Sequence, residues 1–177
     1  FALYEARTDR RHVINWFSES NYSREKDAYK NAQLFSRMIT ENLFTYHVQP
    51  IVETTTGNIV AYEALMRSTG DLKMEPKQIL SIAANQNSLY AIEKLTFFNT
   101  MKLISENQSV FENKKLFINS MCEYSLNDED FNELYLTYGE LLEKCVIEIV
   151  EDSTVTPESI EQIKKRLAFA HAQLAID

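Results

Sequence analysis

From Ile59 onward the chain alternates between two periodicities. "IVAYEALMRS" reads as a strand, "PKQILSIAANQ" and residues 89–105 as helices, and "KKLFINS" as a strand. "LNDEDFNELYLTYGELLEK" follows as a helix, "CVIEIVE" as a strand, "TPESIEQIKKRLAFAHA" as a helix and "QLAID" as a closing strand. Short β-branched runs bounded by turn residues mark the strands, and apolar residues at three- and four-residue steps mark the helices. Start signals agree: Pro76 opens one helix, Asn127 or Asp128 caps another, and Thr156 and Pro157 begin a third with Glu158 and Glu161 near its positive end. Strands separated by helices must run parallel, because a crossover returns each to the same end. The order therefore predicts an α/β fold built on a parallel sheet or barrel.

Two elements precede this alternation. Ala28, Ala32, Phe35, Met38 and Ile39 trace an apolar stripe along a helix over residues 23–42. "FTYHVQPIVE" then reads as a strand, with Pro50 confining it to a sheet edge or strand end. "TTTGN" supplies turn chemistry, Gly57-Asn58 returning the chain into "IVAYEALMR" as a hairpin.

That second strand carries Glu63 and Arg67 in its middle. Burying either charge costs several kcal/mol unless it is paired or coordinated. One explanation is mutual pairing; another is a site. The later strands favour a site, since each carries a polar oxygen at or near its end: Asn119 in "LFIN", Glu148 and Glu151 in "VIEIVE", Asp177 in "LAID". A single polar strand end is ordinarily a solvated terminus, but the pattern repeats on successive strands. In parallel barrels the strand-to-helix loops open at the C-terminal ends of the strands, where active sites collect. Carboxylates with an amide oxygen form a hard donor set suited to Mg²⁺ or Mn²⁺. Such an ion neutralises charge on a phosphoryl group, and Arg67 can clamp a phosphate oxygen with its planar fork.

Composition narrows the alternatives. Over 177 residues the net charge is −8, which argues against a nucleic-acid polymer as partner. No apolar run reaches the roughly 18 residues of a membrane span, so membrane attachment is expected only through a segment upstream of Phe1. Cys122 and Cys145 make neither a metal spacing nor a disulfide framework, which points to a reducing cytoplasm. Cys122 reads as a bystander thiol and His47 as a partly buried structural histidine.

The motifs resemble a known family. "FTYHVQPIVETTTGNIVAYEALMR" is similar to the opening of EAL domains, bacterial phosphodiesterases of cyclic di-GMP, with their Gln-Pro-Ile, turn and Glu-Ala-Leu-x-Arg. "LFINS" resembles the strand ending in a metal-binding Asn, "VIEIVE" the Glu-x-x-Glu strand, and "LAID" the approach to an Asp-Asp-Phe-Gly segment. The resemblance runs over residues 44–177. It implies a TIM-like (β/α) barrel whose first strand is antiparallel. It implies that Glu63, Asn119, Glu148 and Asp177 hold metal, with Glu63, Glu148 and Asp177 catalytic. Gln49 and Arg67 match positions that contact the dinucleotide, and Glu151 one that supports a loop near the site. Two divalent cations, Mg²⁺ or Mn²⁺, and cyclic di-GMP as partner follow from the same likeness.

"FALYEARTDRRHV" is similar to the last helix of GGDEF domains. The expected organisation is a GGDEF-like remnant over residues 1–20, a linker helix over 21–42, and the N-terminal part of an EAL domain over 43–177. By resemblance, the second aspartate, a lysine and two later polar residues belong to strands beyond Asp177. The barrel is therefore expected to be partial and this length of chain inactive by itself. Open sheet edges invite pairing, which makes a homodimer an expectation. The sequence departs from the family at Ser68, where Trp is common, at Met121, where Ser is frequent, and at Tyr62, a ring expected beside the site in place of Gly. Two functions follow: metal-dependent hydrolysis of cyclic di-GMP, or a degenerate, non-catalytic module binding cyclic di-GMP or a partner protein.

Overall fold

A computed structural model describes residues 18–69, 74–149 and 156–176. Helix α1 spans Glu19–Thr40 and begins earlier than its apolar stripe, because the Ser18 side chain caps it by accepting from the Asn21 N–H. The stripe buries only its C-terminal half: Phe35 and Met38 are in the core, while Ala28 at its start is exposed.

Strand β1 (Phe44–Val52) and strand β2 (Ile59–Ser68) form an antiparallel hairpin. Its turn needs a positive φ, which Gly57 supplies at 72° without a Cβ penalty. Pro50 is accommodated because β1 lies at the edge of the sheet. Helices α2 (Pro76–Asn85) and α3 (Leu89–Glu106) lead to β3 (Lys115–Ser120). A single 3₁₀ turn at Cys122–Tyr124 precedes α4 (Asp128–Leu142), which is capped by Asn127. Strand β4 (Cys145–Ile149), helix α5 (Pro157–Phe169) and strand β5 (Gln173–Ile176) follow. Thr156 and Ser159 close a capping box at the start of α5, one residue type away from the usual Glu at that position. The helix stops before His171, which adopts φ 55° instead of continuing the helix as its pattern predicts. The Ala172 N–H returns to the Leu167 carbonyl at 2.9 Å and satisfies the helix end.

The five strands stand in the order β1-β2-β3-β4-β5, with every pair after the hairpin parallel. A sheet wound in sequence order with helical crossovers is a (β/α) barrel followed part of the way round, with its first strand antiparallel. One sheet face meets the helices. Tyr46, Ala64, Leu116, Ile118 and Ile147 pack there with Ile79, Ile92, Met101 and Leu134 in a single core cluster. Polar bonds fix the helices to each other: the Asp130 carboxylate accepts from the Tyr90 hydroxyl and, at 2.7 Å, from the Lys94 ammonium, tying α4 to α3. Among the described residues no helix is long and apolar enough to cross a membrane.

Residues 1–17, which carry most of the GGDEF-like stretch, lie outside the described residues, as do Glu151 and Asp177.

Candidate functional site

Strand geometry assigns each side chain of β2 to a face. Glu63, Leu65 and Arg67 point one way, and Tyr62, Ala64 and Met66 the other. Register extends the first face across the sheet. Gln49 stands opposite Glu63 on β1, Phe117 beside Glu63 on β3, Glu148 beside Asn119 on β4, and Ala175 beside Glu148 on β5. This is the face away from the helical core. Gln49 and Asn119 are exposed there, and Glu63, Arg67 and Glu148 are half-buried.

The side chains meet across strands. Asn119 Nδ2 donates to Glu63 Oε1 at 3.0 Å, which joins β3 to β2 at the level of the site. That bond leaves the Asn119 amide oxygen as an acceptor toward the open face. Arg67 does not neutralise Glu63, since none of the ion pairs among the described residues joins them. Its Nη1 instead donates to the Met66 carbonyl at 2.7 Å, which orients one edge of the guanidinium. A cavity of about 300 Å³ opens beside Arg67 and Asn119 and is bounded on its inner side by Tyr46, Glu93 and Met121.

Among the described residues no group of three or more His, Cys, Asp or Glu side chains gathers to hold a metal ion. The donors on the open face are the Glu63 and Glu148 carboxylates and the Asn119 amide oxygen. In type they fit a hard divalent cation. Asp177, the remaining expected donor, follows Ala175 by two positions but lies outside the described residues.

Two expectations are corrected by the geometry. Tyr62 is not beside the site: it points to the core and meets the Phe111 ring edge-on, with centroids 5.5 Å apart. His47 is exposed rather than partly buried, because it shares the open face with Gln49 and Leu65. Ser68 has a local structural use, its hydroxyl bonding both the N–H and the carbonyl of Met74 at 3.2 Å.

One polar residue near the site was not anticipated. Glu93 in α3 is buried, and its carboxyl accepts from the Ser120 hydroxyl at 2.5 Å and from the Met121 N–H at 3.1 Å. Burial pushes its pKa up to about 7, against the lowering effect of the two donors. The signal lay in the helical period, since Glu93 falls on the same buried stripe as Thr96, Thr100 and Ile104. Tyr46, on the helical face of β1, is pushed up to about 12 by burial, and its hydroxyl donates to Thr96 at 2.9 Å.

A sequence model described as the EAL domain matches residues 32–177. No curated protein sequence matches the chain. Among solved structures, the Xanthomonas citri FimX EAL domain in complex with c-diGMP superposes with a TM-score of 0.74 at 14% identity, over 88% of this chain and 62% of that one. The Vibrio cholerae LapD S helix-GGDEF-EAL protein bound to c-di-GMP gives 0.68 at 14% identity, over 99% and 44%. The Klebsiella pneumoniae BlrP1 manganese/cy-diGMP complex gives 0.62 at 21% identity, over 76% and 34%. At these identities the likeness is one of fold, and the chain spans less than two thirds of each of these relatives.

Proposed function

The chain belongs to the EAL domain family, and on that premise we propose that it forms part of a cytoplasmic cyclic di-GMP phosphodiesterase, contributing the first half of its site. The observation that carries this reading is the open-face row. Glu63 and Asn119 are hydrogen-bonded at 3.0 Å, and Asn119 stands in register with Glu148 on the next strand. Three oxygen-bearing side chains thus stand on three consecutive strands, on the face away from the helical core.

Glu63, Asn119 and Glu148 would hold a divalent cation together with Asp177. When bound, such an ion neutralises charge on the phosphoryl group and acidifies a coordinated water. The residues of this chain do the rest by position. The Asn119–Glu63 bond fixes the rotamer of both donors before any ligand arrives. Arg67 turns one guanidinium edge to its own strand and has further N–H groups to pair with a phosphate oxygen. Gln49, opposite Glu63 in the register, places an amide where it can bond the dinucleotide. Groups supplied by strands after Asp177 complete the pocket, so this length of chain without them is proposed to lack turnover.

The test is incubation of the protein extended through its remaining strands with cyclic di-GMP and Mn²⁺, with detection of the linear dinucleotide. Metal-dependent product supports the phosphodiesterase reading. Tight binding without product identifies a non-catalytic receptor for the same ligand, and neither binding nor product overturns both.

A further inference from the structure

Glu93 has no part in the roles assigned above, yet it is the most deeply placed charged group near the site, with 1% of its surface exposed. It belongs to α3, and both of its oxygens leave that helix for a strand terminus. Oε1 takes the Ser120 hydroxyl at 2.5 Å, and Oε2 takes the Met121 N–H at 3.1 Å. Thr100, on the same buried stripe, instead turns its hydroxyl back to its own helix, onto the Thr96 carbonyl at 2.7 Å. Packing alone would be served better by an apolar side chain, because a buried carboxylate is tolerated only where donors meet it. Here both donors come from the two residues that directly follow Asn119.

We propose that Glu93 is a positioning residue: its buried carboxylate clamps the end of β3 so that Asn119 reaches Glu63 and presents its amide oxygen to the ligand. Two acceptor bonds to successive residues hold both the direction of the backbone and its rotation at the point where the strand leaves the sheet. Asn119 is the residue before that clamp, and its 3.0 Å bond to Glu63 is the structural consequence. What the Asn119 oxygen then meets rests on the phosphodiesterase reading; the clamp itself is local geometry.

The chemistry of substitution separates positioning from filling. A glutamine at 93 still satisfies both partners, its oxygen accepting the Met121 N–H and its amino group donating to the Ser120 oxygen. A leucine fills similar space and can do neither. The experiment compares Glu93→Gln, Glu93→Leu and Ser120→Ala in the protein extended through its remaining strands. The readouts are the Asn119 side-chain amide resonances by ¹⁵N NMR, Mn²⁺ affinity, and kcat and KM for cyclic di-GMP. Glu93→Gln is expected to keep the Asn119 resonances and Mn²⁺ affinity of the parent. Folded Glu93→Leu is expected to move those resonances and to lose roughly 10–100-fold in Mn²⁺ affinity and kcat, as outer partners of metal ligands do, with KM close to the parent's. If the leucine variant does not fold, Ser120→Ala carries the comparison, since it removes one bond and keeps the other. Unmoved Asn119 resonances in a folded variant lacking the clamp would overturn the proposal, and so would a glutamine variant as impaired as the leucine one. A parent protein that neither binds Mn²⁺ nor turns over would defeat the phosphodiesterase reading while the Asn119 resonances still decide the role of Glu93.

Discussion

Asn119 donates its side-chain N–H to Glu63 at 3.0 Å, joining two adjacent parallel strands by polar groups on the face that the helices leave open. The bond requires an amide on one side and a carboxylate on the other. Asn119→Asp would set two carboxylates against each other. In metal-free protein at neutral pH this variant is expected to lose about 1 kcal/mol of stability, the worth of one hydrogen bond. Mn²⁺ or acid should restore part of it, because either relieves the repulsion. Denaturant titrations with and without Mn²⁺ check this; an equally stable variant would show that the bond contributes nothing to the fold.

Arg67 is half-buried and bonded to the Met66 carbonyl through one nitrogen only. Arg67→Lys keeps the charge and loses the fork. Binding of cyclic di-GMP is expected to weaken by about 1.5–3 kcal/mol, the range for a hydrogen bond to a charged group. Calorimetry on the two proteins measures it. Unchanged affinity would confine Arg67 to its backbone contact.

Burial holds the Glu93 carboxyl at a pKa of about 7, above its usual 4.5. The folded protein therefore binds a proton there that the unfolded chain has released, so this group's contribution to stability is fully present below about 4.5 and is lost as pH rises toward and through 7. Glu93→Gln removes the titration. The stability difference between parent and variant should shift against the parent as pH rises from about 4.5 to 8. A pH-independent difference would contradict the raised value.

Helix α1 is part of the domain through Phe35 and Met38, which are 1% and 0% exposed. Phe35→Ala should cost about 3–5 kcal/mol. Tyr29→Ala, at a residue 68% exposed on the same helix, should stay within about 0.5 kcal/mol. Thermal melts distinguish a docked helix from a loosely attached one, for which both changes would be small.

The alternation of periods was readable from the chain, and so were the strand parities, because a period of two assigns faces wherever a strand is recognised. That is why Glu63, Leu65 and Arg67 are found on one face together. The same rule, applied one residue earlier, would have put Tyr62 in the core against Phe111; its nearness to Glu63 in sequence misled. A lone acid in a helix is usually solvated; the helical period sets Glu93 with Thr96, Thr100 and Ile104, but its reach to the end of β3 is a matter of tertiary packing. His171 read as helical by composition, yet the chain leaves the helix there to align β5, a choice made by sheet pairing rather than by local propensity. Likewise, the openness of the face carrying His47 depends on what the helices cover, which no local pattern encodes.

The central claim is that the row through Glu63, Asn119 and Glu148 is one half of a metal-dependent phosphodiesterase site. Turnover of cyclic di-GMP by the protein extended through its remaining strands, compared with its Glu63→Gln variant under saturating Mn²⁺, tests it most directly. An amide in place of the carboxylate is a weaker ligand without charge, so formation of the linear dinucleotide should be abolished in the variant while its melting curve stays close to the parent's. Hydrolysis by Glu63→Gln at the parent's rate, or by the parent in excess chelator, would contradict the account.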